Sequence, residues 1–502
     1  MEPVENALPA AGQTSCAQNG QKTAVSRPEA DGRDRRMLAG AAVWCVLAAD
    51  CLWQLPAGAG LTALVWGWYA LALAYLGRGC LRRGECRALL AANLALGLTF
   101  ALTSDGDFRV WNFLALAALM PIHAAALSGA GRRPWHDAAM LRERLALAAR
   151  GAFASLGVLP SALAGAGRSR RRVLSAALGA ALALACVAAL LPVLGSADAL
   201  FASVTASFQA FLRRNLPDWA GKVLAGLCLT PFAFSLLCTL RRPPERKPLP
   251  PARQAAGEPL TFGLLLAGLC GLYAFFLAVQ LRGLLGGGAY LAARGISYAQ
   301  WARSGFFQMV GVTAMNLAAV LLALRWSRAS RAVRGLSVLL IAESAALLVS
   351  AARRMTLYVG AYGLSFLRVM TCWGMAMMAV FLLAGLLAAL RPGFPFCKMA
   401  FAAALAGWLI INCVPVDYLT ARNLADRGRA GVQQTDLCYL TECLSYDALG
   451  PASELAGTPE ARDYAARRGE TLEQAVARRR AEARAECARW ESWNLSAYLA
   501  SR

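Results

Sequence analysis

Long apolar runs recur along this chain, separated by short polar stretches in which arginine is prominent. Runs near residues 37–55, 60–76, 88–103 and 110–127 are followed, after a basic gap, by others near 173–194, 223–240, 260–281, 304–324, 335–352, 369–390 and 399–414. A helix crossing a hydrocarbon core needs about 20 residues, so these lengths predict about eleven membrane-spanning helices. The third run is among the shortest, and without it every later crossing would invert. The expected fold class is an all-α polytopic transmembrane bundle with a small extracytoplasmic helical tail.

The polar pieces divide the chain further. Residues 1–36 contain Lys22, Arg27, Arg33, Arg35 and Arg36 without an apolar core, which predicts a flexible cytoplasmic arm rather than a signal peptide. Residues 37–127 form the N-terminal transmembrane helices. Residues 128–172 set Leu141, Leu145, Phe153 and Leu156 among Arg142, Arg144 and Arg150. That pattern suits either a basic amphipathic helix lying on an anionic leaflet or a solvated connector. Residues 173–414 form the second transmembrane unit. Between its first two spans Phe201, Val204, Phe208 and Leu212 repeat at helical steps before Pro217, predicting an amphipathic helix on the outer side. In the tail, 415–502, the stretch 459–493 alternates Ala, Arg and Glu, so solvated helices with a small core are expected.

Composition excludes the other broad classes. The 502 residues are 58% hydrophobic and 16% charged, too apolar for soluble domains or for disorder. The formal charge of +22 would suggest nucleic acid in a soluble protein. Here the basic residues punctuate apolar runs, and no nucleic-acid partner is expected. Lysine occurs only at positions 22, 222, 247 and 398, so most of the basic charge is arginine. With the N terminus inside, the inner segments hold 29 basic residues and the outer loops 10, the asymmetry that short cytoplasmic loops require. The tail balances 12 basic against 13 acidic residues and falls outside. Anionic lipid is the expected surrounding partner.

Candidate chemistry is sparse. His123 and His136 are the only histidines and no cysteine pair forms CxxC, so no metal or other cofactor is expected. HExxH and GxSxG are absent. Acids within apolar runs are Asp50, near the outer end of the first span, and Glu343, near the middle of the ninth. At 3.6 residues per turn, Ser350 and Arg354 return to within about 20° of Glu343. One polar stripe therefore climbs from mid-membrane to the outer surface, either as a neutral acid bonded between helices or as a functional network. Arg303, Arg353 and Arg368 fall at the same boundary beside Tyr298, Tyr358 and Tyr362. They form either a headgroup-level anchoring belt or an outer-leaflet site for an anion such as a lipid phosphate.

Two segments carry a resemblance. They include Tyr298, Ala299, Arg303, Gly305, Phe306 and Phe307, then Ser350, Ala351, Arg354, Met355, Tyr358, Tyr362, Gly363, Leu364, Ser365 and Arg368. It continues at Asp417, Ala421, Arg422, Asn423, Tyr439, Leu440, Ser445, Asp447 and Ala448, and closes on Trp493, Asn494 and Leu495. From about residue 173 onward the chain resembles the bacterial membrane proteins of the domain-of-unknown-function family four-one-seven-three, related to four-one-five-three. It departs from that pattern at Cys372, Cys413 and Pro415. The resemblance implies a multi-pass protein of the bacterial cytoplasmic membrane with no catalytic residue to carry over. The expected role is a non-enzymatic envelope sensor or assembly protein whose tail engages an envelope partner. A transporter or flippase for an anionic lipid-linked or small solute is the alternative, and a membrane-embedded transferase the next.

Overall fold

Apolar length decides the architecture, and every element among the described residues is helical. The computed structural model describes residues 30–53, 58–135, 137, 139–163, 217–243, 257–285, 306–327, 330–430 and 436–502, with scattered positions between 179 and 206. Its membrane-length helices begin with α1 (Gly32–Trp53), α2 (Ala59–Leu76), α3 (Gly84–Leu102) and α4 (Gly106–Leu127). After α5 (Ala139–Ala154) come α6 (Asp218–Arg241), α7 (Pro259–Leu285), α8 (Phe306–Trp326), α9 (Arg331–Tyr362), α10 (Phe366–Leu390) and α11 (Phe396–Asn412). The tail holds α12 (Val416–Arg429), α13 (Pro459–Arg468), α14 (Leu472–Cys487) and α15 (Leu495–Ser501). Among the described residues nine helices, the 139–162 stretch included, are long and apolar enough to cross a membrane, or ten if the bent pair α11 and α12 counts as one span, while the apolar part of α8, Val310–Trp326, is shorter.

Contacts between helix ends sort the loops onto two sides. On the side where residue 30 lies, Arg241 and Arg242 at the end of α6 pair with Asp34 at the start of α1, at 2.8 and 2.7 Å. There too Lys398 reaches Glu85 at 2.8 Å, and Trp135 packs on Phe401. On the opposite side Lys222 pairs with Asp50 at 2.6 Å, and the tail lies over residues 58–60, 104 and 364–366. Helices α1–α4 and α6–α11 therefore run from one side to the other in alternation, and the short third run does cross as α3. The expected span 173–194 and the outer helix around 201–212 lie outside the described residues except at scattered positions.

One long apolar stretch does not cross. Residues 139–162 pass the length and hydropathy test for a span, yet both ends sit on the side of residue 30. Arg144, near the start of α5, stacks on Trp135 at 3.9 Å, and Ser161 accepts the Ala30 N–H at 3.0 Å. Between them Gly151 and Ser155 bond Ser235 and Thr239, near the end of α6. Leu141, Arg142, Leu145, Arg150 and Phe153 remain exposed along one face.

Two apolar cores lie side by side. The first joins α1–α4 and α6 around Tyr69, Leu96, Phe100, Phe234 and Leu237; the second joins α7–α10 around Leu266, Val320, Leu340, Leu347 and Leu382. Helix α11 bridges them. Asn112 of α4 donates to Asn412 at 2.6 Å and accepts from Trp408 at 2.8 Å, while Phe108, Phe366 and Trp408 stack edge to face. The tail carries a larger core than its Ala-rich helices suggested. Leu424, Leu437, Leu440 and Leu455 join Tyr464, Leu472 and Val476, because the leucines preceding residue 459 supply most of the buried volume.

Candidate functional site

Helix α9 has 32 residues, about 48 Å at 1.5 Å per residue, against roughly 30 Å of hydrocarbon. The helix is therefore longer than an upright crossing needs. The helix ends at Gly363, whose φ of 72° lies in the left-handed region open to glycine. The predicted stripe is present on it. Glu343 and Arg354 are each 8% exposed and Ser350 is buried, all facing neighbouring helices. Glu343 lies beside Cys270 of α7, and its Oε2 has no hydrogen-bond partner among the described residues. One residue on, Ser344 accepts from Asn316 of α8 at 3.0 Å. The acid therefore occupies a three-helix junction.

Of the arginines expected at the outer boundary, Arg353 and Arg368 do not converge in the same way. Arg368 bonds the Tyr362 and Gly363 carbonyls at 2.9 and 2.7 Å and lies over the Tyr358 ring at 4.5 Å. Its guanidinium thus serves the carbonyls that the end of α9 leaves open. Tyr358 and Tyr362 stack on each other. Arg353 is exposed, whereas its neighbour Arg354 is buried. Arg303 and Tyr298 lie outside the described residues, as does His136. Asp50, which sequence left without a partner, has Lys222.

A second polar cluster, not singled out as a site from sequence, lies where the tail meets the loop between α3 and α4. Asp105 caps α4 by accepting the Phe108 N–H at 3.1 Å. Ser104 bonds Ser496 at 2.8 Å and accepts the Tyr446 N–H at 3.1 Å. Asp417 accepts the Ser445 N–H at 2.8 Å, and Asp447 accepts the Ser496 hydroxyl at 2.7 Å. Burial raises the carboxyl pKa of Asp105 to about 7, with the charges of Asp417 and Asp107 adding to it. Burial also raises those of Asp417 and Asp447.

Most residues that carried the resemblance past the last span build this cap. Asn423 accepts the Leu364 N–H at 2.9 Å, and the Tyr439 hydroxyl accepts the Phe366 N–H at 3.0 Å, so both fasten the α9–α10 turn. Ala421 and Ala448 are wholly buried in the cap. Asn494 caps α15 through the Ala497 N–H at 2.8 Å, and the Trp493 carbonyl accepts the Ala59 N–H at 2.8 Å. The signal was legible as a motif, and the geometry makes it a docking motif. No group of three or more His, Cys, Asp or Glu suited to a metal occurs among the described residues.

Fold and site together define a polytopic helical membrane protein with a polar helical cap fastened over the loops on one side. The chain belongs to the family described as Domain of unknown function (DUF4153), whose profile matches residues 90–455. This is the relative of the family named on sequence resemblance, and the match begins within α3 rather than near residue 173, so part of the N-terminal bundle belongs to the family unit. No curated protein and no solved structure matches the chain.

Proposed function

We propose that this protein is a non-enzymatic sensor or assembly protein of a bacterial cell envelope. Its arm and α5 lie on the cytoplasmic side and its cap lies outside. The observation that carries the reading is the way the cap is fastened. Separate bonds tie it to the α1–α2, α3–α4 and α9–α10 loops, so a partner that moves the cap moves three helical hairpins. The exposed apolar and arginine face of α5 suits an anionic inner leaflet. A transport role draws on Glu343, whose Oε2 is buried at a three-helix junction without a hydrogen-bond partner among the described residues.

Photo-crosslinking side chains at Arg462 and Arg480, both exposed on the cap, separate these readings in native membranes. The sensor or assembly reading predicts a discrete protein adduct from both positions. Adducts to lipid alone, together with solute flux in proteoliposomes that Glu343→Gln abolishes, would contradict it.

A further inference from the structure

Two buried carboxyls and a half-buried one gather at the seam between the cap and the α3–α4 loop. Asp105 and Asp417 are 8% and 6% exposed, and Asp447 lies close enough for its charge to act on Asp417, as does that of Asp107. Each of these acids bonds through one oxygen: Asp105 to the Phe108 N–H, Asp417 to the Ser445 N–H, Asp447 to the Ser496 hydroxyl. Asp105 Oδ2 has no hydrogen-bond partner among the described residues, and the same holds for the buried hydroxyl of Thr420, whereas the Ser445 hydroxyl opposes part of the burial effect on Asp417.

Positive charge is scarce at this seam. From the first turn of α4 comes Arg109, whose Nε donates to the Thr103 carbonyl at 3.2 Å, whose Nη2 has no hydrogen-bond partner among the described residues, and on which the charges of Glu486, Tyr446 and Asp105 act. From α14 comes Arg479, stacked 4.7 Å over the Tyr446 ring and paired with Glu482 at 3.0 Å. Near Asp417 stands Tyr439, with Arg368 beyond it. With every carboxyl ionised, Asp105 and Asp107 on the loop would face Asp417, Asp447 and Glu486 on the cap, so negative charge would predominate on both sides. Buried like charges with unbonded oxygens repel strongly, and a proton on either removes the repulsion.

We infer that this seam is a proton-operated latch, in which protonated Asp105 and Asp417 let the cap close on the α3–α4 loop and their ionisation lifts it. Asp105 rises from 3.8 to about 7 when docked. A raised carboxyl keeps its proton in the docked state after the exposed group has lost it. Docking is therefore fully favoured at low pH and weakens as pH climbs through that window, by up to about tenfold per unit for one group. The latch regulates the cap proposed above as the partner-binding element, yet does not require that partner.

A native thiol reports on it. Cys51 is buried at the end of α1 against Gly60, and the Glu491 backbone covers the same glycine. With Cys51 as the sole cysteine, a water-soluble disulfide reagent can be compared on the parent and on Asp105→Asn at one pH, which cancels the chemistry of the thiol itself. The Asn side chain keeps the helix cap and cannot ionise. At pH 8 the parent should label at least tenfold faster than Asp105→Asn, and the ratio should shrink as pH falls through the window, the two rates converging near pH 4. Asp417→Asn should slow labelling at pH 8 in the same way, which guards against a folding defect in one variant. Equal rates at pH 8 in the parent and both variants overturn the latch. Equal parent and variant rates alongside a protein adduct on the cap would sink the latch alone; a parent that labels faster than both variants at pH 8, without any adduct, would sink the sensor reading alone.

Discussion

Gly226→Leu is expected to prevent recovery of a folded protein, or to lower its melting temperature by more than about 10 °C, a loss of several kcal/mol. Helices α1 and α6 run antiparallel and in direct backbone contact. A Cβ at Gly226 would stand 2.5 Å from the Val46 Cα and 2.7 Å from its nitrogen. Backbone cannot swing aside as a side chain can, so the helices must part. Parting them stretches ion pairs at both ends, Lys222 with Asp50 at 2.6 Å and Arg241 with Asp34 at 2.8 Å. Gly263→Leu on α7 is the control, because nothing lies within 4 Å of a Cβ there. It should melt within a few degrees of the parent. Fluorescence-detected size exclusion after a heating series measures both, and a stable Gly226→Leu protein would mean that α1 and α6 do not pack in this way.

The second large effect is expected at Asp34. Its side chain is wholly buried and receives Arg241, Arg242 and the Tyr75 hydroxyl, at 2.8, 2.7 and 2.5 Å. Removing one member of a buried ion pair strands the others, and such losses run to about 3–5 kcal/mol. Both arginines keep some contact with solvent, so about 3 kcal/mol is the expected cost of Asp34→Asn. The double variant Asp34→Asn with Arg241→Gln should recover part of that loss, because fewer charges are left stranded. Asp31 is far more exposed and pairs with the same arginines, so Asp31→Asn should cost under about 1 kcal/mol. A thermal-melt cycle over these variants gives the coupling directly; additive losses would mean that Asp34 and Arg241 do not interact.

Much of the bundle was legible because membrane helices are written in apolar length and loops in arginine. The 139–162 stretch shows where length stops being informative. It is apolar enough to cross, but Arg142 and Arg150 interrupt it, and only the bonds from Ser161 to Ala30 and from Ser155 to Ser235 reveal that it returns to its starting side. The stripe from Glu343 to Arg354 followed from helical period alone. The Arg368 guanidinium did not, since a sequence cannot say that the nearest acceptors are the carbonyls of its own preceding turn. The acidic seam was least legible. Ser104 and Ser496 are 392 residues apart, and Tyr446 bonds Ser104 across 342, so no local pattern records their meeting. The cap's core was underread for a similar reason: leucines scattered from 424 to 455 become one cluster only when α13 and α14 fold back over them.

The central claim is that the cap covers the outer loops while the loop joining α2 to α3 opens on the other side of the membrane. Cys443 is exposed in the cap, and Cys80 is partly exposed in the α2–α3 connection beside the Glu85–Lys398 pair. Each is to be tested as the sole cysteine, in intact cells and then in opened membranes, with a membrane-impermeant maleimide. The account predicts that Cys443 labels in intact cells and that Cys80 labels only after the membrane is opened. Labelling of Cys80 in intact cells, or of both residues from one side, would contradict it.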